Sequence, residues 1–469
     1  MKLNYAEQGS GDAVILLHGM FGSLSNLGVV ARTLVDRYRV ISVDLRNHGE
    51  SPHAAVMSLS TMAADIVELM DDLGDAMVAD PAPLMLGGGN PAHIPEVQAI
   101  FRKRIESILS QPGEFESTIG NYDTPQGAKN FVGALSDLFR SEFGWDVGPE
   151  NFALTNGSQN AFFSLFNLFA GKFESGKSKQ ILLPLAPEYI GYSEVGLESN
   201  FFQANRPEIE LLSDGLFKYR VDFDRLNINE SVGALCFSRP TNPTGNVVTD
   251  EEVSRLRELA NSQGIPLIID NAYGTPFPNI IYSQAQPVWD ENIVLCLSLS
   301  KFGLPSLRTG IVIARKEVIR IVTRMTSVFS LSPGSLGPAL AFDLVKSGEI
   351  TRVSNEVVKP FYEDKAKRAV AQLRHEIGDH IPMRIHKPEG ALFLWLWFDG
   401  LPISSEELYQ RLKKKGVLVV SGHYFFPGME KENWKHKGEC IRLTYAQDEQ
   451  VVASGIRLIA EEIIKVFAQ

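Results

Sequence analysis

Three side chains with chemical potential, Asn242, Asp270 and Lys301, each come at or just after an apolar run of the sequence. Asp270 lies 28 residues after Asn242, and Lys301 lies 31 residues after Asp270. Each separation is close to one strand-helix-strand unit of about 30 residues. We therefore expect successive strands to bring an amide, a carboxylate and an amine to the carboxyl edge of one sheet, where open α/β sheets bind ligands.

These groups match the needs of pyridoxal 5'-phosphate. A lysine amine forms a Schiff base with the aldehyde of that cofactor, and an aspartate pairs with its protonated ring nitrogen. Donors near the phenolic oxygen tune the electron sink, and Tyr273, three residues after Asp270, is a candidate donor beside Asn242. The sequence therefore predicts a cofactor site centred on Lys301.

Two segments are predicted to hold the cofactor's phosphate. In LTNGSQ a strand turns into a helix, so the backbone N–H groups of Ser158 and Gln159 point out of a helix N-terminus, where the helix dipole favours an anion. In SLSKFGLPSLRTG, Ser298, Ser300 and Arg308 supply further donors. The LTNGSQ turn alone is weak evidence, since most such turns are only helix caps, but together with the segments of Asn242, Asp270 and Lys301 it favours a phosphate site.

Each candidate residue, including Tyr189 in PEYIGY and Arg442 in CIRLTYA, also has an ordinary structural interpretation. Asp270 could be a turn aspartate, Asn242 a turn initiator, Tyr189 a core aromatic and Arg442 a charge at the rim. All of these interpretations would have to hold at once, in the order and spacing that a cofactor site requires. The joint pattern therefore favours the site.

The elements that must position these residues read as an α/β fold. Between about residues 150 and 316, the apolar runs ILLPLAP, VGALCFSRP, PLIIDNAY, IVLCLSLSK and TGIVIARK lack in-out alternation, as expected for a mainly parallel sheet covered on both faces. Thr249 and Glu252 form a capping-box pattern at the start of a helix that Gly264 should end. A helix is predicted at 96–110. After Pro360 the pattern indicates a smaller α+β domain.

Composition narrows the classes of partner. The 469-residue chain has a net charge of −11, which argues against nucleic acid or an anionic membrane as partner. Three cysteines without CxxC spacing predict no disulfide framework and no metal site, and they fit a cytoplasmic protein. The longest apolar run, ALFLWLWF, is too short to span a bilayer.

From about residue 69 onward the chain resembles the fold-type I pyridoxal phosphate enzymes. The resemblance rests on LGGGNPA, NYDTPQG, LTNGSQ, PLAPEYIGY, SRPTNPTGN, IIDNAYG, SLSKFGLPSLRTG, HKPEGALFLWLWF and CIRLTY. Within that family it is similar to aminotransferases that act on L-valine and pyruvate. This implies a ping-pong transamination through a Lys301 Schiff base, giving 3-methyl-2-oxobutanoate and L-alanine.

The resemblance also implies a role for each site residue. Lys301 would carry the Schiff base and shuttle the proton, with Asp270 and Tyr273 as its catalytic partners. Arg442, with Asn242 and Gly89, would bind the substrate, and the planar fork of an arginine suits a carboxylate. The cofactor ligands would be Ser158, Gln159, Tyr189, Asn242, Asp270, Tyr273, Ser298, Lys301 and Arg308, together with Tyr122, which such enzymes lend to the neighbouring subunit of a homodimer.

The N-terminal segment resembles a different family, the α/β-hydrolase esterases, through VILLHGMFGS and VDLRNHGES. It reads as strand, helix, strand and helix, with Gly74 closing the last helix and DPAP at 80–83 breaking the chain. No G-x-S-x-G nucleophile elbow occurs in the sequence, so we expect no esterase activity. The predicted domains are a non-functional hydrolase-like fragment (1–74), the N-terminal part of the small aminotransferase domain (75–115), a large cofactor domain (116–358) and a C-terminal small domain (359–469).

Other functions stay open at this point. The same fold supports other amino-acid transaminases and β-elimination lyases, which release pyruvate and ammonia without consuming a keto acid. A non-catalytic binding protein or fusion product is disfavoured by the intact Lys301, and an esterase is disfavoured by the missing nucleophile elbow.

Overall fold

The computed structural model describes residues 3–10, 13–19, 22–58, 61–63, 65, 66 and 83–469. The chain divides into two compact units, Met1–Pro83 and Leu84–Gln469. The predicted helix end at Gly74, the boundary between residues 74 and 75, and most of the DPAP segment lie outside the described residues. No helix among the described residues is long and apolar enough to cross a membrane.

The first unit contains a three-stranded sheet. Its strands are β1 (Tyr5–Gln8), β2 (Ala13–Leu17) and β3 (Arg39–Val43), in the order β1-β3-β2, and helix α1 (Gly28–Leu34) connects β2 to β3. β2 is parallel to β3, as a strand-helix-strand connection requires, and β1 is antiparallel to it. β2, α1 and β3 were predicted from the sequence, but β1 was not, because it is mostly exposed and has no apolar pattern.

The second unit contains the remaining elements. Its strands are β4 (Leu84–Met85), β5 (Phe152–Asn156), β6 (Gly171–Lys172), β7 (Ser178–Leu183), β8 (Phe202–Ala204), β9 (Glu208–Leu211), β10 (Leu216–Arg220), β11 (Val232–Ser238), β12 (Leu267–Asp270), β13 (Ile293–Ser298), β14 (Thr309–Ile313), β15 (Met383–His386), β16 (Phe393–Phe398), β17 (Val417–Leu418), β18 (Val420–Ser421) and β19 (Cys440–Thr444). Its helices are α2 (Pro95–Ser110), α3 (Glu114–Gly120), α4 (Lys129–Phe143), α5 (Ser158–Phe169), α6 (Asp250–Ser262), α7 (Lys316–Phe329), α8 (Leu336–Lys346), α9 (Glu349–Val353), α10 (Lys359–Ile377), α11 (Ser405–Lys414) and α12 (Glu449–Phe467).

The larger sheet has the order β5-β14-β13-β12-β11-β7-β6, with β8 paired to β7. The strands β8, β7, β11, β12 and β13 are parallel, which confirms the mainly parallel sheet. β14 is antiparallel to both β13 and β5, a direction that burial patterns cannot show. Leu267 and Ile269 lie in one buried apolar cluster and Ile268 in another, so both faces of the sheet are covered.

The register of the central strands places their carboxyl ends side by side. Asp270 is paired with Ser238 on β11 and with Cys296 on β13. The expected helix lies between β11 and β12, where Thr249 Oγ1 accepts a hydrogen bond from the backbone N–H of Glu252 at 3.2 Å. The capping box and the end of this helix just before Gly264 are thus confirmed.

The interval between β12 and β13 differs from the expected strand-helix-strand unit. Residues 271–292 contain no helix. Pro276, Pro278 and Pro287 cannot donate backbone hydrogen bonds, and Gly274 has low helix propensity, so a continuous helix is disfavoured there. The spacing of about 30 residues therefore indicated the correct sheet edge, although the connection is irregular.

The second sheet has the order β18-β19-β16-β15-β10-β9, and β4 pairs in parallel with β17. The long helices α10 and α12 pack against each other in this part of the unit. The strands β9 and β10 come from residues 208–220, far from the C-terminal segment in sequence. The sheet matters for the site because β19 carries Arg442.

Candidate active site

A cavity of about 570 Å³ lies at the carboxyl ends of β11, β12 and β13. Twelve of the thirteen predicted site residues line it: Gly89, Ser158, Gln159, Tyr189, Asn242, Asp270, Tyr273, Ser298, Ser300, Lys301, Arg308 and Arg442. The thirteenth, Tyr122, is not among the lining residues, and its side chain is 83% exposed in the single chain. The fold thus brings together the residues that the sequence analysis selected from positions 89 to 442.

Lys301 follows the end of β13 and extends its amine into the cavity. Its Nζ donates a hydrogen bond to the carbonyl oxygen of Gly89 at 2.6 Å and lies 5.3 Å from the ring centroid of Tyr273. Loss of hydration, followed by repulsion from Arg442 and Arg308, lowers the pKa of Lys301 to about 8. A neutral amine is the nucleophilic form, so this environment favours attack on a carbonyl.

Asp270 ends β12 and is buried. The hydroxyl of Tyr192 donates to its Oδ2 at 2.7 Å, and the backbone N–H of Ala272 donates to its Oδ1 at 3.0 Å. Burial raises the pKa of Asp270 to about 6, while these two hydrogen bonds oppose the rise. The carboxylate form is therefore the main one at neutral pH, and it is suited to pair with a cationic ring nitrogen.

Arg442 joins the second sheet to the cavity. Its Nη1 donates to Oδ1 of Asn242 at 2.7 Å, and its Nη2 donates to the carbonyl oxygen of Gly87 at 2.6 Å. The guanidinium lies 4.1 Å above the ring centroid of Phe393, while Nε is buried without a hydrogen-bond partner among the described residues. Burial lowers the pKa of Arg442 to about 10, so it stays a cation at neutral pH and can bind an anionic substrate group.

The N-terminus of α5 forms the other end of the cavity. Gly157 precedes this helix with φ +85°, and a Cβ atom there would lie 2.3 Å from Nη2 of Arg308. The hydroxyl of Ser158 is buried without a hydrogen-bond partner among the described residues, and Nη1 of Arg308 donates to Ser300 Oγ at 3.4 Å. An unpaired hydroxyl, a helix N-terminus and a guanidinium at one place suit a phosphate dianion.

Two predicted cofactor residues also support the walls of the cavity. The side chain of Gln159 donates to the carbonyl oxygen of Gly191 at 2.6 Å and so holds the turn that follows Tyr189. The ring of Tyr273 packs edge-to-face with Phe393, with 6.1 Å between centroids. Burial raises the pKa of Tyr189 and of Tyr273, so both phenols stay protonated and available as donors at neutral pH.

Four residues that shape the site were not predicted from the sequence: Glu188, Tyr192, Ser238 and Phe393. Ser238 lines the cavity, and Tyr192 contacts Asp270 directly. Glu188 and Tyr192 flank the selected Tyr189 within PLAPEYIGY, and Phe393 lies in HKPEGALFLWLWF. Both motifs were visible in the sequence, but the inward direction of these side chains depends on tertiary packing.

The comparison with known families decides the identity of the second unit. Residues 97–458 match the family described as aminotransferase class I and II. The chain is also 50% identical over 409 residues to a valine-pyruvate aminotransferase of Escherichia coli (strain K12), a match that covers 87% of this chain and 97% of that relative. This chain belongs to the class I and II aminotransferases.

Two solved structures resemble this aminotransferase along most of its length. A putative amino-acid aminotransferase from Psychrobacter arcticum 273-4 is 48% identical, with a TM-score of 0.81 and coverage of 89% of this chain and 100% of that chain. A valine-pyruvate aminotransferase from Salmonella typhimurium LT2 is 49% identical, with a TM-score of 0.78 and coverage of 86% and 100%. The predicted fold class is thereby confirmed.

The N-terminal segment of the aminotransferase matches a second family. Residues 12–79 match the family described as alpha/beta hydrolase fold. A stretch of 76 residues is 47% identical to the esterase YbfF of Escherichia coli (strain K12), and it covers 15% of this chain and 30% of that relative. The predicted hydrolase-like fragment is confirmed as a partial match.

Proposed function

We propose that this aminotransferase uses pyridoxal 5'-phosphate to transfer the amino group of L-valine to pyruvate, giving 3-methyl-2-oxobutanoate and L-alanine. The observation that carries the proposal is the convergence of Lys301, Asp270 and Arg442 in one cavity. An amine of lowered pKa, a buried carboxylate and a guanidinium are the three groups that this reaction needs. The choice of substrates follows the names of the two relatives with about half of their residues identical.

The residues of the cavity fit the proposed cofactor. The unpaired hydroxyl of Ser158, the N-terminus of α5 and Arg308 would hold its phosphate. Asp270 would pair with its ring nitrogen, and Asn242 and Tyr273 would contact its phenolic oxygen. When bound, pyridoxal phosphate supplies an electron sink that stabilises negative charge on the α-carbon of an amino acid.

The protein supplies binding, orientation and proton transfer. Arg442 would bind the α-carboxylate of the substrate in the bidentate geometry that its planar fork allows, with Asn242 fixing one end of the fork. In the first half of the reaction Lys301 would take the α-proton as a neutral amine and deliver it to the former aldehyde carbon of the cofactor, and in the second half it would move a proton in the opposite direction. Its hydrogen bond to Gly89, which also lines the cavity, holds the amine within the cavity.

The proposal includes a homodimer in which Tyr122 reaches the phosphate site of the neighbouring subunit. Its high exposure in the single chain leaves this hydroxyl available to a second copy. We place the enzyme in the cytoplasm, because Cys236, Cys296 and Cys440 are free and buried thiols that suit a reducing compartment.

A single-turnover experiment tests the proposed reaction. The full-length protein is loaded with pyridoxal phosphate and mixed with L-valine in the absence of any keto acid. We expect one equivalent of 3-methyl-2-oxobutanoate per active site and no further product until pyruvate is added. Lys301→Ala should give none, because it lacks the amine that moves the α-proton.

Other outcomes would point to other chemistry. Continuous release of pyruvate and ammonia from an amino acid with a β leaving group would favour a β-elimination lyase. A single turnover with other amino acids but not with valine would leave transamination in place and overturn the substrate pair. Absence of a half-reaction with every amino acid would favour a non-catalytic protein.

A further inference from the structure

A buried carboxyl group without a cationic partner lies behind the cavity. Glu188 has no exposed surface, and the groups that affect its pKa most, beside burial, are Ser238, Asp270 and Tyr189, with no lysine or arginine among them. The backbone N–H of Ser238 donates to its Oε1 at 2.8 Å, and the hydroxyl of Ser238 is hydrogen-bonded to its Oε2. Burying an ionised carboxylate without a cation costs free energy, so burial favours the protonated form of Glu188.

A continuous hydrogen-bond chain connects this group to Asp270. Ser238 Oγ lies 3.3 Å from the hydroxyl oxygen of Tyr192, which in turn donates to Oδ2 of Asp270 at 2.7 Å. Each of the two hydroxyls has one hydrogen to donate and can also accept a hydrogen bond. If Glu188 is protonated, every bond of the chain can donate in the direction of Asp270. If Asp270 is protonated instead, every bond must reverse.

This hydrogen-bond chain therefore has a carboxyl group at each end, Glu188 and Asp270, and the two carboxyl groups share one acidic proton. Burial raises the pKa of Glu188 to about 8, and the charge of Asp270 adds to the rise against the hydrogen bonds from Ser238. Burial raises the pKa of Asp270 only to about 6, because Tyr192 donates to it. At neutral pH the proton accordingly belongs to Glu188, the end farther from the cavity.

The other titratable groups around Glu188 do not compete for this proton. They are Tyr189, whose backbone N–H donates to the Glu188 carboxyl, and Tyr192 and Cys236, whose pKa values the charge of Glu188 raises. Burial raises the pKa of all three, well above the usual value for Tyr192 and Cys236, so they stay neutral at physiological pH. Asp270 is the charged group that faces Glu188.

We propose that Glu188 is a positioning residue that stores the single proton of the Glu188–Ser238–Tyr192–Asp270 chain and thereby keeps Asp270 ionised for the ring nitrogen of the cofactor. A neutral Glu188 donates to Ser238, which orients the hydroxyls of Ser238 and Tyr192 towards Asp270. The inference rests on the proposed cofactor role of Asp270, but the location of the proton does not depend on the substrate pair.

Infrared spectroscopy of the cofactor-free, full-length protein tests where the proton lies. A protonated carboxyl group has a C=O stretch well separated from the carboxylate bands. We expect this band at pH 7 in the wild type, and we expect it to disappear as the pH rises through about 8. It should be absent from Glu188→Gln and present in Glu194→Gln, a matched change at an exposed residue of the same loop.

Two outcomes would overturn the inference. One is the absence of a protonated carboxyl band from the wild type at pH 7. The other is a band that persists in Glu188→Gln and is lost in Asp270→Asn, since the proton would then belong to Asp270. Neither infrared outcome depends on the half-reaction with valine, so a failure of the Glu188 inference is distinguishable from a failure of the proposed function.

Cofactor affinity separates proton storage from simple packing. Glu188→Gln presents an amide N–H to Ser238 and imitates the protonated acid, so we expect a dissociation constant for pyridoxal phosphate within about threefold of the wild type. Glu188→Leu removes both the donor and the acceptor, and we expect affinity about tenfold weaker because the buried groups of Ser238 lose their partner. Wild-type affinity in a folded Glu188→Leu protein would contradict the positioning role.

Discussion

The Nη1 atom of Arg442 donates a hydrogen bond to Oδ1 of Asn242 at 2.7 Å, although the two residues are 200 positions apart, Arg442 within β19 of the second sheet and Asn242 in the loop after β11 of the larger sheet. The contact fixes the orientation of the guanidinium, and the ring of Phe393 beneath it fixes the plane. The arginine is thus preorganised for a planar anion before substrate arrives. This is the geometry expected of a carboxylate clamp.

We predict that Arg442→Lys lowers kcat/KM for both substrates. Lysine keeps the charge but loses the bidentate fork and the stacking on Phe393, a loss of about 1.5 to 3 kcal/mol for hydrogen bonds to a charged group. The value of kcat/KM for valine and for pyruvate should each fall by about 10- to 100-fold. Steady-state kinetics with each substrate varied in turn provides the measurement.

The matched control for this change is Arg457→Lys on an exposed position of α12, which should leave both constants unchanged. A loss confined to one substrate would argue against a shared carboxylate clamp, because a ping-pong enzyme binds both substrates in the same place.

We predict that Lys301 reacts as an amine of lowered pKa. Desolvation and the positive charges of Arg442 and Arg308 lower its pKa from the usual 10.5 to about 8. The neutral form is the nucleophile, so the rate of covalent cofactor attachment to the cofactor-free protein should rise with pH and level off above about 8. Stopped-flow absorbance measures the rate, and Lys301→Ala provides the background from other lysines. A midpoint near 10.5 would show that the site does not perturb this amine.

We predict that Gly157→Ala damages the phosphate end of the cavity. Gly157 has φ +85°, and an added Cβ atom would lie 2.3 Å from Nη2 of Arg308. The substitution therefore strains the turn and displaces the arginine at the same time. The dissociation constant for pyridoxal phosphate, measured by titration calorimetry, should rise by at least about tenfold if one charge-assisted hydrogen bond is lost.

Gly133→Ala is the control for the glycine change itself. Gly133 lies inside α4, and an added Cβ atom would meet nothing within 4 Å. This variant should bind the cofactor normally and gain about 1 kcal/mol in free energy of unfolding, since alanine has the higher helix propensity. Equal affinities for the two variants would mean that the close approach of Arg308 to the helix does not serve cofactor binding.

Much of the site was predictable because it lies at strand ends. A buried parallel strand has a strong apolar signal, and the polar residue that ends it stands out, as Asp270 does after LII and Lys301 does after LSLS. The separation between such residues then indicates that they share a sheet edge. Lys301, Asp270 and Asn242 could therefore be placed together without any structural knowledge.

The remaining features depend on information that apolar patterns do not contain. β14 is as buried as its parallel neighbours, and its antiparallel direction follows only from how the chain returns to the sheet. The Glu188 carboxyl is buried against Ser238, and the backbone N–H of Glu188 donates to the carbonyl oxygen of Phe425 at 2.8 Å, both contacts between distant segments. An acidic residue beside a proline and a tyrosine gives no local sign of such burial.

We predict that the aminotransferase does not need its N-terminal segment. Every residue that lines the cavity lies between Gly89 and Arg442, and these belong to the compact unit Leu84–Gln469. A chain that lacks residues 1–82 should keep kcat/KM for valine and pyruvate within about twofold of the full chain, as for surface changes away from a site. A large loss on deletion would show that the hydrolase-like segment supports the fold or the assembly of the enzyme.

The same comparison tests the expected lack of esterase activity. The sequence has no G-x-S-x-G motif, so the full chain and the shortened chain should hydrolyse a simple phenyl ester at the same low rate. Faster hydrolysis by the full chain alone would assign a nucleophile to the first unit and contradict the expectation of a non-functional fragment.

Finally, we predict that Tyr122 acts in the cofactor site of the neighbouring subunit. In the single chain its side chain is 83% exposed and absent from the cavity lining, so it needs a second copy to reach a phosphate. Tyr122→Ala should weaken binding of pyridoxal phosphate by about 1 kcal/mol, as expected for one lost hydrogen bond. Lys301→Ala should abolish turnover at any cofactor concentration.

Mixing the Tyr122→Ala chain with the Lys301→Ala chain shows whether Tyr122 acts in the site of the neighbouring subunit or in the site of its own subunit. In a hybrid dimer the site with an intact Lys301 receives an intact Tyr122 from its partner only if the tyrosine crosses the interface. After unfolding and refolding together, half of the dimers should be hybrids with one good site each. Activity at limiting cofactor should then exceed the sum of the separate chains. Activity equal to that sum would place Tyr122 in its own subunit or outside the site.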